Sequence, residues 1–150
     1  MTDDTARVND PVILQRLQQK MTVPLFRDLD FALTAAGEGW AEITLNVAPR
    51  HYNPNGVLHG GMWTMIADSA MAAAIHSMIA PHDMSATMQL DIRWLRPAPG
   101  DRLRVVGMVL RRGRRAWHTN AELFDGQGRL VGVANAMFAI LSPDDRLPPD

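Results

Sequence analysis

The sequence predicts an α+β fold in which a curled antiparallel β-sheet wraps around one long central α-helix. Two observations carry this. A largely apolar run of about twenty residues spans Gly60 to Ile79, with Asp68 as the only Asp, Glu, Lys or Arg between Arg50 and Asp83. The second half of the chain instead shows strand alternation broken by short turns. A sheet with one apolar face and a single apolar helix bury each other when the sheet curls around the helix.

The elements follow in order. Asp10 is a cap candidate before Pro11, and Ile13, Leu14, Leu17 and Met21 recur at helical spacing, so a short amphipathic helix is expected over residues 11–21. Strands are expected over 28–35 and 39–47, paired as a hairpin around Gly37-Glu38-Gly39. Residues 49–58 read as a loop rich in Pro, Asn and Gly. The long helix from Gly60 to Ile79 follows, closed by Pro81 and Asp83.

Met88, Leu90, Ile92 and Trp94 then alternate with Gln89, Asp91 and Arg93, a strand with one buried face that Pro97 and Pro99 stop. On that alternation Thr87 shares the polar parity of Gln89 and Asp91, opposite to Met88. Strands over 102–111, 115–124 and 129–141, joined at Arg112-Gly113-Arg114 and at Asp125-Gly-Gln-Gly128, form an antiparallel meander. The organisation expected is an N-terminal segment with a short helix (1–21), one domain (22–141) and a proline-rich disordered tail (142–150).

At 150 residues the chain suits one domain burying roughly two-thirds of its unfolded surface. A net charge of -1 supplies no basic field for nucleic acid or an anionic membrane. Thr64, Asp68, Ser69, His76 and Ser77 interrupt the apolar run, so it reads as a buried helix and not a membrane span. The polar, acidic start carries no signal-peptide pattern. The absence of cysteine excludes disulfides, thiolate zinc sites and a cysteine nucleophile, and is compatible with a cytoplasmic setting. His76 and His82 form no ligand-spaced cluster, so no metal is expected.

The run His51-Tyr-Asn-Pro-Asn-Gly-Val-Leu-His-Gly-Gly-Met-Trp-Thr-Met-Ile-Ala-Asp68 holds the chemistry. A lone carboxylate in an apolar helix is costly to bury unless it reacts or closes a specific contact. The glycines open a helix whose first N–H groups are unpaired donors at the positive end of its dipole.

The spacing Asn53-x2-Gly56-x2-His59-Gly60-Gly61-x6-Asp68, with a downstream strand ending Leu95-Arg96-Pro97, resembles the hotdog-fold acyl-CoA thioesterases. It is most similar to their PaaI-type and 4-hydroxybenzoyl-CoA branch, over about residues 22–141. The resemblance implies hydrolysis of an acyl-CoA to the free acid and coenzyme A, with no cofactor beyond the coenzyme A of the substrate.

It further implies that Gly60 is the oxyanion donor, Asp68 the general base or nucleophile, Asn53 a group holding the carbonyl or a water, and Thr87 a hydroxyl positioning water. Asn53 can equally build an Asx turn before Pro54, and His59 can equally contact substrate or fix the loop. Where some relatives carry a hydroxyl four residues after the acid, this chain has Ala72. Gly61 and Trp63 are candidates for substrate contact. Arg112 and Arg114, in the cluster Arg111–Arg115, are candidates for coenzyme A phosphates or simply a solvated turn.

Eight residues of helix separate Gly60 from Asp68 by roughly 12 Å. A site using both must combine two subunits around a two-fold axis, so a homodimer is expected, and the resemblance implies dimers pairing as tetramers. The alternatives are a non-catalytic acyl-CoA sensor, against which Asp68 argues, and a hotdog hydratase or dehydratase, for which Asp68 and His76 lack the expected context.

Overall fold

The computed structural model describes residues 7–97, 101–114 and 116–145. Helices α1 (Pro11–Lys20) and α2 (Pro24–Asp28) precede strands β1 (Phe31–Gly37) and β2 (Trp40–Asn46). Helix α3 (Gly60–His76) follows, then β3 (Met84–Trp94), β4 (Arg102–Arg112), β5 (Ala116–Asp125) and β6 (Leu130–Leu141). The six strands form one antiparallel sheet in the order β1-β2-β4-β5-β6-β3. Helix α3 lies across it, chiefly over β2 and β4, the expected α+β architecture of a sheet around one long helix.

The core joins Ile66, Ala70, Met71 and Ala74 of α3 to Ile43, Leu45, Val105, Leu123 and Phe138 of the sheet. Leu17 of α1 is buried in the same core. Helix and sheet approach closely at Gly107, where a Cβ would fall on the backbone of Ala70 and Met71. A glycine inside a strand marks such an approach. The β5–β6 turn is organised by the Asp125 carboxylate, which accepts from the N–H groups of Gln127 and Arg129 and from Arg129 Nε. Gly128 supplies its positive φ of 75°.

Several boundaries differ from the sequence reading. The residues expected to begin the first strand at 28 instead complete α2, entered at Pro24, and Asp30 (φ 56°) turns the chain into β1 at Phe31. Helix α3 ends at His76, three residues before Ile79. There Ser77 Oγ donates to the Ala74 carbonyl at 2.6 Å and accepts from Gly39 N–H at 2.8 Å. Of the expected tail, Pro143–Asp145 forms one 3-10 turn and 146–150 lie outside the described residues, as does Arg115.

The largest difference concerns β3, the edge strand beside β6. Thr87 pairs with Phe138 but Gln89 pairs with Met137, so Met88 is an extra, bulged residue. Met88 is 59% exposed rather than buried, and Trp94 is 53% exposed. Because Phe138 is a core residue, its partner Thr87 faces the helix. The bulge reverses the parity that simple alternation assigns to Thr87.

Candidate active site

Helix α3 buries Ile66, Ala67, Ala70, Met71, Ala73 and Ala74, whereas Met62, Met65, Asp68, Ser69, Ala72 and His76 are only half-buried. These six share one stripe of the helix, so Asp68 stands on a flank that faces the edge strand β3 and the N-terminal helices and not the centre of the sheet. Thr87 Oγ1 donates to Asp68 Oδ1 at 2.8 Å, a contact made possible by the bulge. Burial pushes the Asp68 carboxyl above its ordinary value, and the Thr87 hydrogen bond partly offsets this. The hydroxyl holds one carboxylate oxygen, leaving the other free to act on a substrate.

Asp68 lines a cavity of about 250 Å³ walled by Leu17, Met21 and Phe26 from the N-terminal helices and by Ala72 and Ala73 from its own. Lys20 and His76 also line this cavity. Lys20 Nζ lies 3.5 Å from His76 Nδ1 and donates to the Pro81 carbonyl at 3.1 Å. On the ring's other side Ser85 Oγ is 3.3 Å from His76 Nε2. Burial first, then the charges of Lys20 and Arg16, hold His76 down to about 4, so the ring is neutral near pH 7. Since an ammonium only donates, Nδ1 accepts and Nε2 carries the proton toward Ser85.

The glycine end is built differently. His59 is the N-cap of α3, and its Nδ1 accepts the Gly61 N–H at 2.9 Å while its carbonyl accepts from Met62. That uses the donor of Gly61 and leaves the Gly60 N–H without an acceptor among the described residues. A Cβ on Gly61 would press on the His59 ring at 3.0 Å, whereas one on Gly60 would meet only Trp94, at 3.6 Å. Gly61 therefore serves the cap, and Gly60, whose N–H is unpaired, lines a cavity of about 570 Å³ with Val57, Trp63, Trp94 and Arg96.

Asn53 holds the preceding loop. Its Oδ1 accepts from the N–H groups of Asn55 and Val57, an Asx turn, while Nδ2 donates to no acceptor among the described residues. Gly56, at φ 73°, allows the chain to reverse. His51 is buried beneath this loop and accepts from Ala48 N–H. Its desolvated ring is held below the usual imidazole range, with Arg50 adding to the effect and Asp30 and the Leu29 carbonyl opposing it.

Within one chain the predicted residues fall into three groups. Gly60 and Trp63 share the larger cavity, flanked by His59 and Asn53. Asp68 and Thr87 meet at the smaller one, and no residue lines both. Arg112 places its guanidinium 5.9 Å from the Trp117 ring and lines a separate cavity together with Met78, beyond the C-terminal end of α3, with Arg114 on the same hairpin. Neither arginine shares a cavity with Gly60 or Asp68.

Sequence reasoning missed the pairing of Lys20 with His76 in the acid's cavity. The one available signal was a histidine two helical turns after Asp68, on the same face. Among the described residues no three His, Asp or Glu side chains gather as metal ligands, and no helix is long and apolar enough to cross a membrane.

Similarities to known proteins identify the family and the fold. The chain is 29% identical over 113 residues to the 1,4-dihydroxy-2-naphthoyl-CoA hydrolase of Escherichia coli, covering 75% of this chain and 83% of that protein. A conserved protein of Pseudomonas aeruginosa superposes with a TM-score of 0.77 at 29% identity, over 83% of this chain and 98% of the other. The Escherichia coli PaaI protein of the phenylacetic acid degradation operon shares the fold with a TM-score of 0.76 at 21% identity, over 87% and 96% of the two chains. Residues 55–132, which hold helix α3 with Asp68 and strands β3 to β5, match the family model of the thioesterase superfamily. The chain belongs to that superfamily and is a thioester hydrolase of the hotdog fold.

Proposed function

We propose that the protein hydrolyses acyl-CoA thioesters at a site completed by two subunits. The Gly60 N–H of one protomer stabilises the oxyanion, and Asp68 of its partner activates water or attacks the carbonyl. The observation that carries this reading is the separation of the two groups. An unpaired donor and a perturbed carboxylate open into different cavities of one chain, although thioester hydrolysis needs both at one carbon. The half-buried Met62 and Met65 of α3 and the exposed edge of β3 offer apolar surface to a second copy packed about a two-fold axis.

In this arrangement Thr87 orients the carboxylate by a direct hydrogen bond, and a water held by that carboxylate is the nucleophile unless Asp68 attacks first. The Asn53 Nδ2 is left free for the carbonyl or a water. His59 acts through the helix cap, since its Nδ1 is already engaged by Gly61. The apolar cavity at Gly60 suits the thioester arm, with Arg96 at its edge. The same reading places the protein with its coenzyme A substrates in the cytoplasm, as a homodimer that can pair into a tetramer, with no cofactor of its own.

Asp68→Asn tests the reading directly. Release of free thiol from a panel of acyl-CoAs should fall by about 100-fold to 10,000-fold, the span expected for losing a general base, with the oligomer unchanged by sedimentation. Retention of most turnover would remove Asp68 from the chemistry.

A further inference from the structure

We propose that the Asp68 cavity accepts an acyl group ending in a carboxylate, the half-thioester of a dicarboxylic acid, and that Lys20 binds this distal anion. The inference rests on the thioesterase reading and names its substrate class. The cavity is asymmetric in charge. Asp68 stands at one end, the walls of Leu17, Met21 and Phe26 are apolar, and Lys20 and His76 stand at the other. Two helical turns, roughly 12 Å along the axis, separate Asp68 from His76, leaving room for a chain of several carbons between the reacting carbonyl and the ammonium.

Lys20 has capacity for such a ligand. It donates to the Pro81 carbonyl and points a second donor at His76 Nδ1. An ammonium has three protons, and no carboxylate pairs with Lys20 among the described residues. Arg16 adds positive charge at the same end, where its guanidinium donates to the carbonyls of His76 and Ser77. Both cations act on His76, whereas neither is among the influences on Asp68. No ion pair joins Lys20 to Asp68 among the described residues, so Lys20 is not the counter-ion of the catalytic carboxylate. Neutral His76 fixes the ammonium without competing for an anion.

The test uses hexanoyl-CoA and adipoyl-CoA, matched in carbon number and differing in a terminal methyl or carboxylate. The intact protein should favour adipoyl-CoA in kcat/KM by about tenfold, as a charge-assisted hydrogen bond at a partly exposed site allows. Lys20→Met, which keeps the alkyl stem, should abolish the preference by lowering kcat/KM for adipoyl-CoA about tenfold more than for hexanoyl-CoA, and Lys20→Arg should restore part of it. The Asp68→Asn protein, titrated with both thioesters by calorimetry, should bind adipoyl-CoA more tightly in a Lys20-dependent way.

Equal turnover and equal binding of the two compounds, or a preference that survives Lys20→Met, would overturn the proposal while leaving the thioesterase reading intact. Absence of thiol release from every acyl-CoA would strike the thioesterase reading instead, and the calorimetric comparison would still decide the role of Lys20.

Discussion

At the scale of single residues, two titratable groups on one helix face are perturbed by burial in ways that predict opposite behaviour. The Asp68 carboxyl is raised by desolvation and lowered by Thr87, so the acidic limb of kcat/KM should lie above the ordinary carboxylate range. Thr87→Val removes the lowering influence and should move that limb to higher pH, with turnover at the alkaline plateau reduced less than by Asp68→Asn; an unmoved limb would show that the hydroxyl does not act on the carboxylate. His76 is depressed to about 4 from 6.5. The unfolded chain binds its proton below pH 6.5 while the folded protein refuses it until about pH 4. Stability that is complete above pH 6.5 is therefore lost progressively toward pH 4, by of order 3 kcal/mol at about 1.4 kcal/mol per pH unit. Urea unfolding across that window should show the loss in the parent and a flatter profile in His76→Gln.

At the scale of elements, the helix–sheet contact at Gly107 sets how closely α3 lies on β4. The backbone of Ala70 and Met71 occupies the position of any Cβ there. Gly107→Ala should thus cost about 1–3 kcal/mol by overpacking and weaken activity by lifting α3 from the sheet; an unchanged urea midpoint would show that the helix can retreat freely. The sequence made the broad elements legible because burial imposes period: the apolar run of α3, the alternation of β3 and the glycine turns are all consequences of where water is excluded. Less legible was what depends on one inserted residue. Alternation assigns Thr87 to the outer face, and only the extra Met88 in the β3–β6 ladder brings its hydroxyl to Asp68. Bulges leave no periodic trace. In the same way, local spacing offers His59 as substrate contact or scaffold, but the Nδ1 bond to Gly61 emerges only when the helix start is built. That bond distinguishes the free donor of Gly60 from the occupied one of Gly61, which the pair of letters in the sequence cannot do.

At the scale of the whole molecule, the exposed β3 edge, with Met84, Met88 and Trp94 uncovered, leaves more apolar surface than one chain hides. If two copies share each site, Gly60 and Asp68 act from different chains, and complementation follows. Gly60→Pro removes the N–H at the first helical position, where proline's fixed φ is tolerated, and should lose activity by about 100-fold or more, as for an oxyanion donor. Asp68→Asn should be inactive by itself for the reason given above. A mixed dimer of these two proteins retains one site with an intact Gly60 from the Asp68→Asn chain and an intact Asp68 from the Gly60→Pro chain; its other site is doubly impaired. After subunits are exchanged by unfolding and refolding equal amounts together, half of the dimers are mixed and each has one working site of two, so about a quarter of the parent activity should return. If the mixture stays inactive although mass spectrometry of the native dimers shows both chains in one particle, the two groups do not act across the interface.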